Sequence, residues 1–180
     1  MNLFHQTNLV ILILPGSMSN PHLEHSGLAL LDALFHGKPM SFPLRSASAT
    51  VGGLYVFGRI LDKIRLDSQG LLPAGYHLGI IAGKKTFDDR VCRFLGLDFE
   101  ALRARTLSGG SDEEILDWCY ENGRRPDDEQ IEVWNAFMQK RGWNDSATSG
   151  LQQQKADAGL SHRDDIQTFF ALFDAEEGRA

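Results

Sequence analysis

Arg59 and Lys63 stand four residues apart, with Asp62 between them and Tyr55 one turn earlier. On a helix, residues three and four apart are neighbours, so these side chains share one polar face. Two adjacent cations repel by roughly 0.2–0.5 kcal/mol unless an anion is shared between them. An arginine fork beside a lysine point charge suits a carboxylate or a phosphate. The competing expectation is that Asp62 and another acid neutralise the pair, on a wet surface or in a salt-bridge network between helices. A surface anion site predicts that Arg59→Ala and Lys63→Ala leave the fold largely intact. A structural pair predicts that both unfold it.

A second constellation is Glu121-Asn-Gly-Arg-Arg-Pro126, where Arg124 and Arg125 precede a helix start. Backbone N–H groups at such a start also favour anions. Trp118, Trp134, Asn135, Arg141 and Trp143 lie on the flanking helices, and the aromatic planes beside the arginines could stack on a ligand ring or on the guanidinium groups themselves. The plainer expectation makes Trp118 and Trp134 core residues and Arg124 a cap on helix carbonyls. His22, Glu24, His25 and His36 are a weak metal set, and no metal is expected. Cys92 and Cys119 have no CxxC partner and read as buried free thiols, although Cys92 with His77 would be the one nucleophile–base pairing to consider. The acids of Asp88-Asp89 and Asp164-Asp165 suit first helical turns, where the dipole stabilises them. No Walker sequence, dinucleotide fingerprint, nucleophile elbow or HExxH is present. No catalytic residue is assigned; were there catalysis, Asp62 or His77 would be the acid or base.

Positioning these residues falls to a series of short helices. The spacing of Leu28, Leu31, Leu34 and Phe35 predicts a helix over 23–35, stopped by Gly37. A second helix is expected over 51–66, with Leu54, Val56, Phe57, Ile60, Leu61 and Ile64 on its apolar side. Tyr55, Arg59, Asp62, Lys63 and Arg65 occupy the other side. A glycine-rich loop then runs to about residue 85. From there one grammar repeats: cap, short helix, glycine stop. Thr86, Asp98 and Ser111 open helices that end near Gly96, Gly109 and Gly123. Pro126-Asp-Asp-Glu129 opens another, with Ile131, Trp134, Phe137 and Met138 on one face. A polar helix is expected over 147–158, and Ser161-His-Arg-Asp164 opens a last one carrying Ile166, Phe169, Phe170 and Phe173. The expectation is an all-α fold: a single domain of about seven short helices over 23–180, behind a dispensable extension at 1–22.

Composition limits the function classes. With 42% hydrophobic and 23% charged residues, the 180-residue chain has the balance of an ordinary globular domain. Its net charge of −6 argues against nucleic acid as a partner. Two cysteines build neither a disulfide scaffold nor a four-thiolate zinc site. The apolar run at 9–14 is too short to cross a bilayer and lacks the basic flank of a signal peptide. A cytoplasmic protein is expected, without a membrane span.

Leu44-Arg45-Ser46, Gly52-Gly53-Leu54, the run Gly58-Arg-Ile-Leu-Asp-Lys-Ile-Arg65, Phe94-Leu-Gly-Leu-Asp98 and Trp118 resemble a bacterial family of unknown function, domain of unknown function 5069. Asn122-Gly-Arg-Arg-Pro126, Trp134-Asn135, Lys140-Arg-Gly-Trp143 and Arg163-Asp-Asp165 are similar to its longer members. The resemblance covers about 44–179 and implies a helical domain without supplying a reaction or a cofactor. Two functions remain open. One is binding of a small anionic metabolite in a cleft lined by Tyr55, Arg59, Asp62 and Lys63, with Arg124, Arg125, Trp134 and Arg141 as further candidates. The alternative is a protein-interaction module without catalysis. Partner-free donors on Arg59 and Lys63 would favour the first, and an exposed apolar patch the second.

Overall fold

The computed structural model describes residues 42–179, and within them the chain is all-α. The expected helix over 23–35, the apolar run at 9–14 and the histidines 22, 25 and 36 lie outside the described residues. Seven helices follow: α1 Phe57–Ser68, α2 Phe87–Leu95, α3 Phe99–Leu107, α4 Asp112–Asn122, α5 Asp128–Lys140, α6 Thr148–Asp157 and α7 Phe169–Glu176.

Capping sets most of the boundaries. The Thr86 hydroxyl accepts from Asp89 N at the start of α2, and Gly96 ends that helix in the left-handed region at φ 69°. Asp98 caps α3. Ser111 with Glu114, and Asp127 with Gln130, form reciprocal capping boxes on α4 and α5.

Two starts differ from the sequence reading. The helix expected from residue 51 begins at Phe57, because Gly52 and Gly53 both take positive φ and turn the chain back. Val51 and Leu54 pair across that turn through N–H···O bonds of 3.3 and 3.0 Å. The last helix begins at Phe169 rather than near Ser161. The Lys155 ammonium holds the Arg163 carbonyl at 2.7 Å, Arg163 pairs with Asp165, and Thr168 supplies the cap.

Helix α1 is the centre of the core. Phe57, Ile60, Leu61 and Ile64 are fully buried, and α1 packs on α3. Ala47, Val51, Leu54, Val56, Val91, Cys92, Leu95, Phe99, Leu102, Ile115, Leu116, Cys119, Trp134, Met138 and Phe170 complete this cluster. A smaller cluster of Leu151, Ile166, Phe169 and Leu172 seats α6 and α7. Phe87 and Phe173 pack against both clusters, with ring centroids 5.6 Å apart.

Candidate functional site

The polar face of α1 lies inside the protein. Arg59 is 4% exposed and Lys63 8%, where the sequence reading placed both on the side away from the core. The chain covers that side with the 76–79 loop, the start of α2 and the C-terminal residues, all of which supply its partners. Lys63 Nζ donates to Asp88 Oδ1 and Oδ2 at 2.5 and 2.7 Å and to the His77 carbonyl at 2.9 Å. Asp88 Oδ2 also accepts from Gly79 N at 2.8 Å. Burial pushes the Lys63 pKa down, against the pull of Asp88.

Arg59 faces a carboxylate from the far end of the chain. Its Nη1 and Nη2 donate to Glu177, and Nη1 also reaches the Arg45 carbonyl at 2.7 Å. Tyr76 Oη donates to the same carboxylate at 2.7 Å, and Arg179 joins it. The Arg59 guanidinium lies 5.6 Å from the Tyr76 ring centroid and 5.2 Å from that of Phe173. Burial lowers its pKa, with Tyr76 the largest opposing influence. Thus the carboxylate that Arg59 and Tyr76 hold is the chain's own Glu177.

Asp62 has its own partner. Arg45 Nε and Nη2 grip its two oxygens at 2.7 and 2.6 Å, a bidentate fork. Arg45 Nη1 continues to Asp112 at 2.6 Å, and Arg65 reaches the other Asp112 oxygen at 2.8 Å. The Tyr55 ring meets Phe170 edge-on at 5.9 Å. Each of the four α1-side candidates is therefore engaged within the fold.

The remaining candidates gather elsewhere. Trp134 stacks on Phe94 with centroids 4.3 Å apart and planes at 13°, and the Arg124 guanidinium sits 5.0 Å from the Phe94 ring centroid. Arg90 and Arg141 approach the Phe137 ring at 5.3 and 5.6 Å. Arg141 is also tied to Asp145 at 2.6 Å, and Arg125 stacks on Tyr120 at 4.3 Å. An open groove of about 440 Å³ runs here between α2 and α5, lined by Phe94, Asp127, Glu129, Gln130, Val133, Trp134 and Phe137.

Phe137 was expected on the core face of its helix, but it is 43% exposed, and Val133 is 63% exposed. The core stripe of α5 runs through Ile131, Trp134 and Met138. Val133 and Phe137, four apart, form a second stripe beside it. That pair was the available signal in the sequence, since a helix serving one core needs only one apolar stripe. Asn135 proves architectural: its side chain donates to the Gly53 carbonyl at 2.7 Å and accepts from Tyr55 N at 3.0 Å.

The other chemistry is quiet. Cys92 and Cys119 are buried and free, and burial pushes both thiols up to about 12, far from nucleophilic thiolates. His77 contributes its carbonyl to Lys63, while the residue itself is exposed. Among the described residues no group of three His, Cys, Asp or Glu side chains is arranged to hold a metal ion. No described helix is long and apolar enough to cross a membrane.

The family model described as Domain of unknown function (DUF5069) matches residues 41–179, and the chain belongs to that family. No curated protein matches the chain.

Proposed function

We propose that this member of the family is a protein-interaction module without catalysis, which docks a partner protein in the α2/α5 groove. The observation that carries it is the unburied stripe of Val133 and Phe137 above the stacked Phe94 and Trp134 rings. Aromatic floors flanked by arginines are the composition of interface cores rather than of ordinary surface. Full burial of such a side chain contributes about 1.5–3 kcal/mol, and a partner that covers Val133 and Phe137 gains the part of this that their remaining exposure leaves. Two buried free thiols suit a reducing compartment such as the cytoplasm.

Binding of a small anion at Arg59 and Lys63 is the second reading, and the observation in its favour is the Glu177 carboxylate held by Arg59 and Tyr76. An external carboxylate there would have to displace Glu177, and one at Lys63 would have to displace Asp88. The groove asks for no such exchange, so it carries the function.

A photo-crosslinking residue placed at position 133 tests the docking reading, with the same residue at Gln153 on the exposed side of α6 as control. The expected result is a discrete product from position 133, identified by mass spectrometry, that is absent from position 153. Equal labelling from both positions, or none from 133, would overturn it. A rise of several degrees in melting temperature with citrate or inorganic phosphate would favour the anion reading instead.

A further inference from the structure

We propose that the occupant of the α2/α5 groove is a second copy of this chain, whose α5 lies antiparallel to the first across a two-fold axis. The proposal rests on the docking reading and adds the identity of the partner. Its basis is the layout of α5, which is complementary to itself. Acids sit at its N-terminal end, at Asp127, Asp128, Glu129 and Glu132, and Lys140 and Arg141 close its C-terminal end. The exposed apolar pair lies between them. A partner helix carrying one sign of charge would leave one end of α5 unmatched, while a reversed copy of the same helix matches both.

The register is over-determined. In a two-fold antiparallel pair, residues meet when their numbers average to the position of the axis. Packing Val133 of one copy on Phe137 of the other places the axis at residue 135. Pairing Glu129 with Lys140 places it between residues 134 and 135. The two requirements place the axis half a residue apart, which is one residue of stagger between the helices, about 1.5 Å of helix rise. They also agree in azimuth. At 100° per residue, Glu129 and Lys140 both project from the flank of α5 beyond Val133, within about 20° of each other. A two-fold axis perpendicular to the helices brings like flanks together, so the pair can meet. Glu129 and Lys140 are exposed, and neither has an ion-pair partner among the described residues. At 13 residues α5 is about 20 Å long, which sets the interface at the small end of specific ones and makes the dimer concentration-dependent.

Light scattering on the full chain during size-exclusion chromatography, run over a dilution series, tests this. The expected mass is twice the 20.0 kDa of one chain at high concentration, falling toward 20.0 kDa on dilution. Val133→Glu should hold the mass at 20.0 kDa throughout, and at dilutions where the parent is monomeric its melting curve should match the parent's, because the side chain is exposed. Lys140→Glu should raise the dissociation constant by roughly tenfold, and Glu129→Lys combined with it should restore the value. A mass of 20.0 kDa at every concentration, or a dimer indifferent to all three variants, would overturn the second copy as occupant. A monomeric chain that still gives a position-133 crosslink to another polypeptide would remove this inference and leave the docking reading. A monomer without that crosslink would remove both.

Discussion

Lys63 carries three ammonium protons and meets three acceptors: both oxygens of Asp88 and the carbonyl of His77. Such a group is costly to bury and more costly to orphan. A buried pair adds little over a well-packed apolar replacement, but deleting one partner strands the other charge, at about 3–5 kcal/mol. Arg59 follows the same logic with Glu177. Sequence spacing identified these residues as a unit and left open whether their partner was a ligand or the protein. The deciding acids, Asp88 and Glu177, lie 25 and 118 residues away, beyond the reach of any local pattern. Nearer the surface, Asp112 titrates below the ordinary carboxylate value. Burial works against its ionisation, and Arg45 and Arg65 more than offset this. As pH falls, the unfolded chain therefore takes up this proton first. The stability that Asp112 contributes is present above its unfolded value near pH 4 and is lost as pH drops through the lower folded value. Asp112→Asn should cost about 1 kcal/mol at neutral pH, discounted for partial exposure, and should flatten the acid limb of a melting-temperature profile. An unchanged acid limb would show that Arg45 and Arg65 do not hold this carboxylate.

The helix grammar was readable wherever a cap is local. Thr86, Asp98 and Ser111 were found as caps because each acts within three residues of itself. The start of α1 was not, since Gly52, Gly53 and the φ of 71° at Val56 are held by distant groups. Val56 N donates to the Ala47 carbonyl at 2.9 Å, and Asn135 grips the turn from α5. A left-handed valine persists only where its surroundings fix it. Phe137 was misplaced for a related reason: helical spacing groups it with Trp134 and Met138, and only packing reveals which neighbours the core reaches. Two substitutions test the elements. Ser111→Ala removes half of a capping box and should cost about 1 kcal/mol in urea unfolding. Gly123→Ala should cost about 1–3 kcal/mol, because a Cβ there runs into the Leu95 carbonyl, and the Arg124 N–H bond to that carbonyl at 2.7 Å holds the connection in place. A neutral Gly123→Ala would mean that the α4–α5 connection moves freely past α2.

Across the described residues, the C-terminal segment closes the structure onto its beginning. Glu177 binds Arg59, Arg179 reaches the Leu44 carbonyl, and Ser46 donates to Asp174 at 2.9 Å. Glu177→Ala should therefore cost about 3–5 kcal/mol although it lies three residues from the end of the chain. A surface role for Glu177 would instead leave the melting temperature unchanged. Arg59 is engaged in this closure and Lys63 with Asp88, while Val133 and Phe137 on α5 stay exposed, as do Leu71, Ile80, Leu107 and Trp143 elsewhere. Urea unfolding of Lys63→Ala beside Val133→Glu separates the two roles most directly. At dilutions where the parent is monomeric, Lys63→Ala is expected to lose about 3–5 kcal/mol, and Val133→Glu to stay within about 0.5 kcal/mol of the parent. The reverse result, a tolerated Lys63→Ala with a destabilising Val133→Glu, would return the lysine to the surface as a ligand group and make the α5 stripe part of the core.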